Sequence, residues 1–217
     1  MATITEKYLT DEGYTVLAER FPRYNHETSH HIQRFLRGEY GTDVHPELIS
    51  LAYSFDRMMA STAIRNTLKL ESGVVLADRF TASNLGHNGS KLDSQAERLD
   101  FFEFQRHFEH EVMGVPKPDL NLIIMIDPET AQRNVDKKAA REYTNQQRDI
   151  HEADTEHLRR TYDTYNLLAE TYPDEFRIID GIDSETGWMR SVESIQADIR
   201  QHVKPLLDAM LDQPNVH

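Results

Sequence analysis

The residues able to do chemistry crowd into one short stretch, "GVVLADRFTASNLGHNGSKL", from Gly73 to Leu92. Four apolar residues run into Asp78 and Arg79, and a polar segment with Ser83, Asn84, His87 and Asn88 follows. A guanidinium binds phosphate oxygens through a planar fork, so an Asp-Arg pair at a strand end is a candidate ligand site. The same pair is equally readable as a surface ion pair. Two more strand ends carry polar groups: Arg20 to Arg23 in "ERFPRY", and Asp127 in "IDPE". Asp127 precedes Pro128, which favours a structural role as the N-cap of a helix. Tyr53 and Arg57 are four apart in a helical stretch and share a face. A ring one turn from a guanidinium can stack on a base while the cation bonds a base oxygen or a phosphate. A core tyrosine beside an arginine with a buried stem has the same spacing, and spacing alone favours that reading.

Two other stretches imitate functional motifs. "GHNGSK" (86–91) lacks the four-residue gap between glycines and the Lys-Ser/Thr ending of a phosphate loop. "HEADTEH" (151–157) is not the zinc motif H-E-x-x-H, because its second histidine comes six residues after the first. The 11 histidines are scattered and form no metal-binding pattern.

The elements that must hold these residues alternate. "TVLAERF" (15–21), "GVVLADRF" (73–80), "LNLIIMID" (the 121–128 region, starting at Leu120) and "FRIID" (176–180) read as strands. The second and third are continuous apolar runs, which predicts strands covered on both faces of a parallel sheet. Helical patterns cover 46–69, with Leu48, Ala52, Phe55 and Met59 on one apolar side, then 90–113 and 151–172. Leu158, Tyr162, Tyr165 and Ala169 share a face of the third, and a last helix runs from an N-cap at Ser191 to about Leu211. This order predicts a single α/β domain with a mainly parallel sheet, whose ligands bind at the carboxyl ends of the strands. The polar segment 134–149 reads equally as a mobile piece or as a solvated helix face.

Composition narrows the partners. With 24 Lys and Arg against 37 Asp and Glu, the net charge is −13, so the chain lacks the basic footprint of a general nucleic-acid binder. A small anion in a local basic pocket is still allowed. No apolar run is long enough to span a membrane, the start carries no signal-peptide core, and there is no cysteine, which together favour the cytoplasm.

From "FPRY" to the last helix, the sequence resembles thymidylate kinases. "DRFTASN" with "GHNGSKL" is similar to that family's Asp-Arg-Tyr-x-x-Ser-Asn motif and its continuation. "AYSFDR" resembles the base-binding pattern of an aromatic, three residues and an arginine. "PKPDLNLIIMIDPETAQR" resembles the strand leading into the lid, and "GWMRSVESIQADI" the closing helix. The resemblance implies a P-loop-kinase-like parallel sheet flanked by helices. It implies transfer of the ATP γ-phosphoryl group, with Mg2+, to thymidine monophosphate (dTMP), giving dTDP on the route to dTTP. Tyr53 would stack on thymine, Arg57 would bond a thymine oxygen, and Asn84 with Ser83 would read the base edge. Arg23, with Arg20 as the alternative, would hold the monophosphate. Asp78 would position Mg2+ through water, and Arg79 would grip the phosphates. Phe80 replaces the commoner Tyr. Arg133, Lys137, Lys138 and Arg141 would belong to a basic lid at about 133–149. A homodimer is expected through helices near 46–69, with Met58 and Met59 assigned to the core.

One part of the family pattern is missing. No G-x-x-x-x-G-K-[S/T] occurs, so the first, central strand and its phosphate loop have no counterpart, about fifteen to twenty residues. Two explanations follow. The sequence is an N-terminally truncated kinase, or it is a non-catalytic nucleotide-binding relative. The intact acceptor motifs favour the first. A deoxynucleoside kinase is a third reading, opposed by Arg23 and Arg57, because a nucleoside has no phosphate to hold.

Overall fold

The computed structural model describes residues 1–41, 43–130 and 155–211. Helix α1 (Ala2–Asp11) leads into strand β1 (Thr15–Arg20), followed by α2 (His30–Leu36) and the long α3 (Pro46–Leu68). Then come β2 (Gly73–Asp78), α4 (Thr81–Gly89), α5 (Gln95–His107) and β3 (Asn121–Met125). The chain closes with α6 (Thr155–Thr171), β4 (Phe176–Asp180) and α7 (Val192–Leu211). All four expected strands are present, each within a residue or two of the stretch read from the sequence.

The strands form two parallel pairs, β1 with β2 and β3 with β4, and no hydrogen bonds join the pairs among the described residues. The expected single parallel sheet is thus seen as two parallel pairs among the described residues. This pairing explains a departure from expectation. The apolar run of β2 is only half-buried from Val74 to Asp78, because only β1 pairs with it among the described residues. Strand β3 follows the predicted pattern more closely, and its side chains alternate between layers. Ile123 and Met125 join Leu85, Phe101, Phe102 and Leu168 from α4, α5 and α6. Leu122 and Ile124 pack toward Ile195 and Ile199 of α7.

Helix boundaries differ from the sequence reading where capping decides. The span 90–113 is not one helix. Ser94 and Glu97 form a reciprocal capping box that starts α5 at Gln95, and a separate helix, α4, precedes it. After His107 the chain widens into a π-helical turn, Phe108–Val112. The expected caps at Asp127 and Ser191 form: each side-chain oxygen accepts from a backbone N–H three residues on, at 2.8 and 3.1 Å. Residues 151–154 of the expected third helix lie outside the described residues.

The apolar stripe of α3 is inverted relative to expectation. Ile49, Ala60 and Ile64 are buried with Ser50, Ser54, Asp56, Arg57 and Ser61, while Leu48, Phe55 and Met59 face outward. Met59 is 49% exposed, which removes it from the core, whereas Met58 packs against the cluster of Phe21 and Phe80. A polar face is buried here because it has partners elsewhere in the fold. Among the described residues, no helix is long and apolar enough to cross a membrane.

Candidate active site

The carboxyl ends of β1 and β2 lie side by side, with Arg20 in register with Asp78. Their side chains pair at 3.4 Å, so the partner of Asp78 is Arg20 and not the adjacent Arg79. Arg79 turns out of the strand with φ at +66°, a left-handed conformation that is costly for any residue bearing a Cβ. Its side chain is exposed, and α4 begins two residues later. Tyr165 of α6 hydrogen-bonds Ser83 and lies within the field of Arg79. Burial raises the pKa of the Tyr165 hydroxyl above its ordinary value, against the opposing pull of Ser83 and Arg79.

Arg23 is tied to α3. Its backbone N–H donates to Asp56 Oδ2 at 2.9 Å, its Nε to Oδ1 at 3.0 Å, and its Nη2 to the Asp56 carbonyl at 2.9 Å. The hydroxyl of Thr28 also donates to Asp56, which is buried. The loop after β1 is therefore clamped to the residue next to Arg57.

Arg57 is itself buried, with its guanidinium 5.7 Å from the centre of the Phe80 ring. Glu109, in the π-helical turn, accepts from Arg57 Nε at 2.9 Å and from Arg57 Nη2. The same carboxylate accepts from Ser54 (2.8 Å), Thr81 (2.9 Å), Asn84 (3.1 Å) and Gln105 (2.7 Å). Burial alone would raise the pKa of Glu109. The charge and N–H groups of Arg57, with Ser54 and Gln105, outweigh it and hold the carboxyl at about 2. Glu109 is thus an ionised group on which α3, α4 and α5 converge.

The structure therefore brings Arg57 and Asn84 together through Glu109, attaches Arg23 through Asp56, and sets Ser83 and Arg79 beside Tyr165. Tyr53 is half-buried on α3, one turn before Arg57. Arg133, Lys137, Lys138 and Arg141, and the lid at 133–149, lie outside the described residues. Sequence reasoning missed three residues: Glu109, Asp56 and Tyr165 as a site neighbour. A signal existed for Glu109. Phe101, Gln105 and Glu109 recur every four residues, placing a carboxylate on the buried face of the helix.

Comparison with known families decides what this arrangement belongs to. The family model for thymidylate kinase matches residues 1–192. The chain belongs to the thymidylate kinase family. A thymidylate kinase of Mycobacterium tuberculosis is 30% identical over 160 residues, covering 72% of this chain and 73% of the relative. One from Nitratidesulfovibrio vulgaris is 27% identical over 208 residues, 94% of this chain and 89% of the relative. The solved thymidylate kinase of Candida albicans superposes with a TM-score of 0.63 over 99% of this chain and 88% of that one. At 15% identity that likeness shows the fold alone. Thymidylate kinases are nucleoside-monophosphate kinases, and these matches favour neither the non-catalytic relative nor the deoxynucleoside kinase.

Proposed function

We propose that the residues gathered at the carboxyl ends of β1 and β2 and on α3 and α4 bind dTMP for phosphorylation by ATP. The observation that carries this is the convergence of Arg23, Arg57 and Asn84, from three separate segments, on two buried carboxylates, Asp56 and Glu109. Arg57 and Asn84 meet the base, with Tyr53 as stacking partner, and stacking contributes about 1–3 kcal/mol. Arg23 holds the monophosphate. Arg79 meets the phosphates at the exposed mouth of β2. A monophosphate oxygen attacks the γ-phosphorus of ATP, the bond from that phosphorus to the bridging oxygen breaks, and ADP leaves. The protein's share is alignment and charge cancellation.

Among the described residues, no group of three or more His, Asp or Glu could hold a metal. Mg2+ in such sites keeps most of its waters and takes one or two carboxylates plus substrate phosphates, and Asp78 at the mouth of β2 fits that need. When bound, it neutralises charge on the transferred group. The segment at 133–149, with Arg133 and Arg141, is assigned as the lid over ATP within a single domain. The outward stripe of Leu48, Phe55 and Met59 supports a homodimer, and we place the protein in the cytoplasm with its family. The test is product analysis with ATP and either dTMP or thymidine. In a form that carries the family's first strand and phosphate loop, formation of dTDP from dTMP is expected; phosphorylation of thymidine and not dTMP would reverse the assignment.

A further inference from the structure

The hydrogen bonds around Glu109 have a direction. Lys91 Nζ donates to Asn88 Oδ1 at 2.9 Å, Asn88 Nδ2 donates to Asn84 Oδ1 at 2.6 Å, and Asn84 Nδ2 donates to Glu109 Oε1 at 3.1 Å. A cation stands at one end and a buried carboxylate at the other, so each link polarises the next. An ionised carboxylate only accepts, and therefore Asn84 must turn its NH2 toward Glu109 and its oxygen away. Gln105 behaves the same way. It aims its NH2 at Glu109 and Ser54, at 2.7 Å each, and leaves its own Oε1 buried without a partner among the described residues. An amide that orphans its oxygen to satisfy a carboxylate shows which group sets the orientation.

We propose that Glu109 is a specificity-determining positioning residue: its negative charge fixes the orientation of Asn84, and with it the choice of pyrimidine. The proposal rests on the reading that Arg57 and Asn84 meet the base. Thymine offers an N3–H donor beside an O4 acceptor, whereas cytosine offers an N3 acceptor beside an amino donor. Asn84 Oδ1, turned away from Glu109, accepts from Asn88 with one lone pair and keeps the other to accept from N3–H of a keto pyrimidine. Arg57 carries five N–H donors, of which Glu109 takes two, and its remaining donors suit O4. Cytosine would face acceptor with acceptor and donor with donor. A buried ion pair is seldom retained for stability alone, since apolar replacements are often neutral. The π-helical turn that carries Glu109 is a local irregularity of the kind that marks functional sites.

The test compares binding of dTMP and 5-methyl-dCMP, which differ only in these two groups, to the wild-type chain by calorimetry. Glu109→Gln keeps the shape but can donate as well as accept, so Asn84 is free to flip. The preference for dTMP should narrow by roughly tenfold or more, since a site built on one hydrogen-bond pattern rejects its mirror strongly. Asn88→Asp reaches the same point without touching the ion pair. Its carboxylate competes for the Asn84 NH2, is balanced by Lys91, and should also narrow the ratio. A ratio unchanged in both variants, or both affinities falling together, overturns the proposal. Failure of the wild-type chain to bind dTMP overturns the base-site reading itself, and this inference with it.

Discussion

The ring of Tyr165 fills the space that a side chain on Gly86 would need: a Cβ there would lie 2.4 Å from two ring carbons. Helix α4 tolerates a glycine at this point so that α6 can bring a tyrosine hydroxyl to Ser83 and Arg79. Gly→Ala inside a helix ordinarily gains about 1 kcal/mol. Here Gly86→Ala should cost about 1–3 kcal/mol through overpacking, measured by urea unfolding, and should weaken dTMP binding by displacing Tyr165. A stability gain would show that the contact is soft.

Glu109 should contribute to acid stability. Its pKa is about 2 in the fold against 4.5 ordinarily, so its contribution is complete above 4.5 and is lost as pH falls toward 2. Urea midpoints measured between those values should fall with pH in the wild-type chain and change less in Glu109→Gln. Arg57→Ala, which strands the carboxylate, should destabilise by about 3–5 kcal/mol.

Arg79 stores backbone strain where the phosphates are expected. Arg79→Gly removes a residue with a Cβ from φ +66° and should stabilise the fold by about 1 kcal/mol. In a form that carries the family's first strand and phosphate loop, the same change should lower turnover by about 100-fold or more in a phosphoryl-transfer assay. Retained turnover would make Arg79 structural.

The outward face of α3 gives a test of assembly. Phe55→Glu or Met59→Glu should convert a dimer into a monomer by light scattering, with little effect on thermal stability, because both side chains are more than 40% exposed in a single chain. A dimer surviving both changes would place the interface elsewhere.

The sequence made the strands legible, since the apolar runs of β2 and β3 have no helical period. It made the caps legible too, because Asp127-Pro128 and Ser191 carry their own chemistry. It concealed α4, whose segment "TASNLGHNG" is rich in poor helix formers. Tertiary contacts override that propensity: Leu85 is fully buried, and Gly86 and Gly89 admit Tyr165, Phe102 and Thr164. It also misdirected the reading of α3. Hydrophobic spacing reports that a face is covered but not by what, and the buried polar face depends on Arg23 and Glu109, which are remote in sequence. Arg57 stands out in the sequence through its spacing to Tyr53, yet the partner that fixes it lies fifty-two residues away.

The central claim is that Arg23, Arg57 and Asn84 enclose one nucleotide. A crystal structure of the dTMP complex tests it most directly. The account predicts thymine against Tyr53, its edge met by Arg57 and Asn84, and its phosphate on Arg23. A complex with dTMP bound away from these four side chains would contradict it.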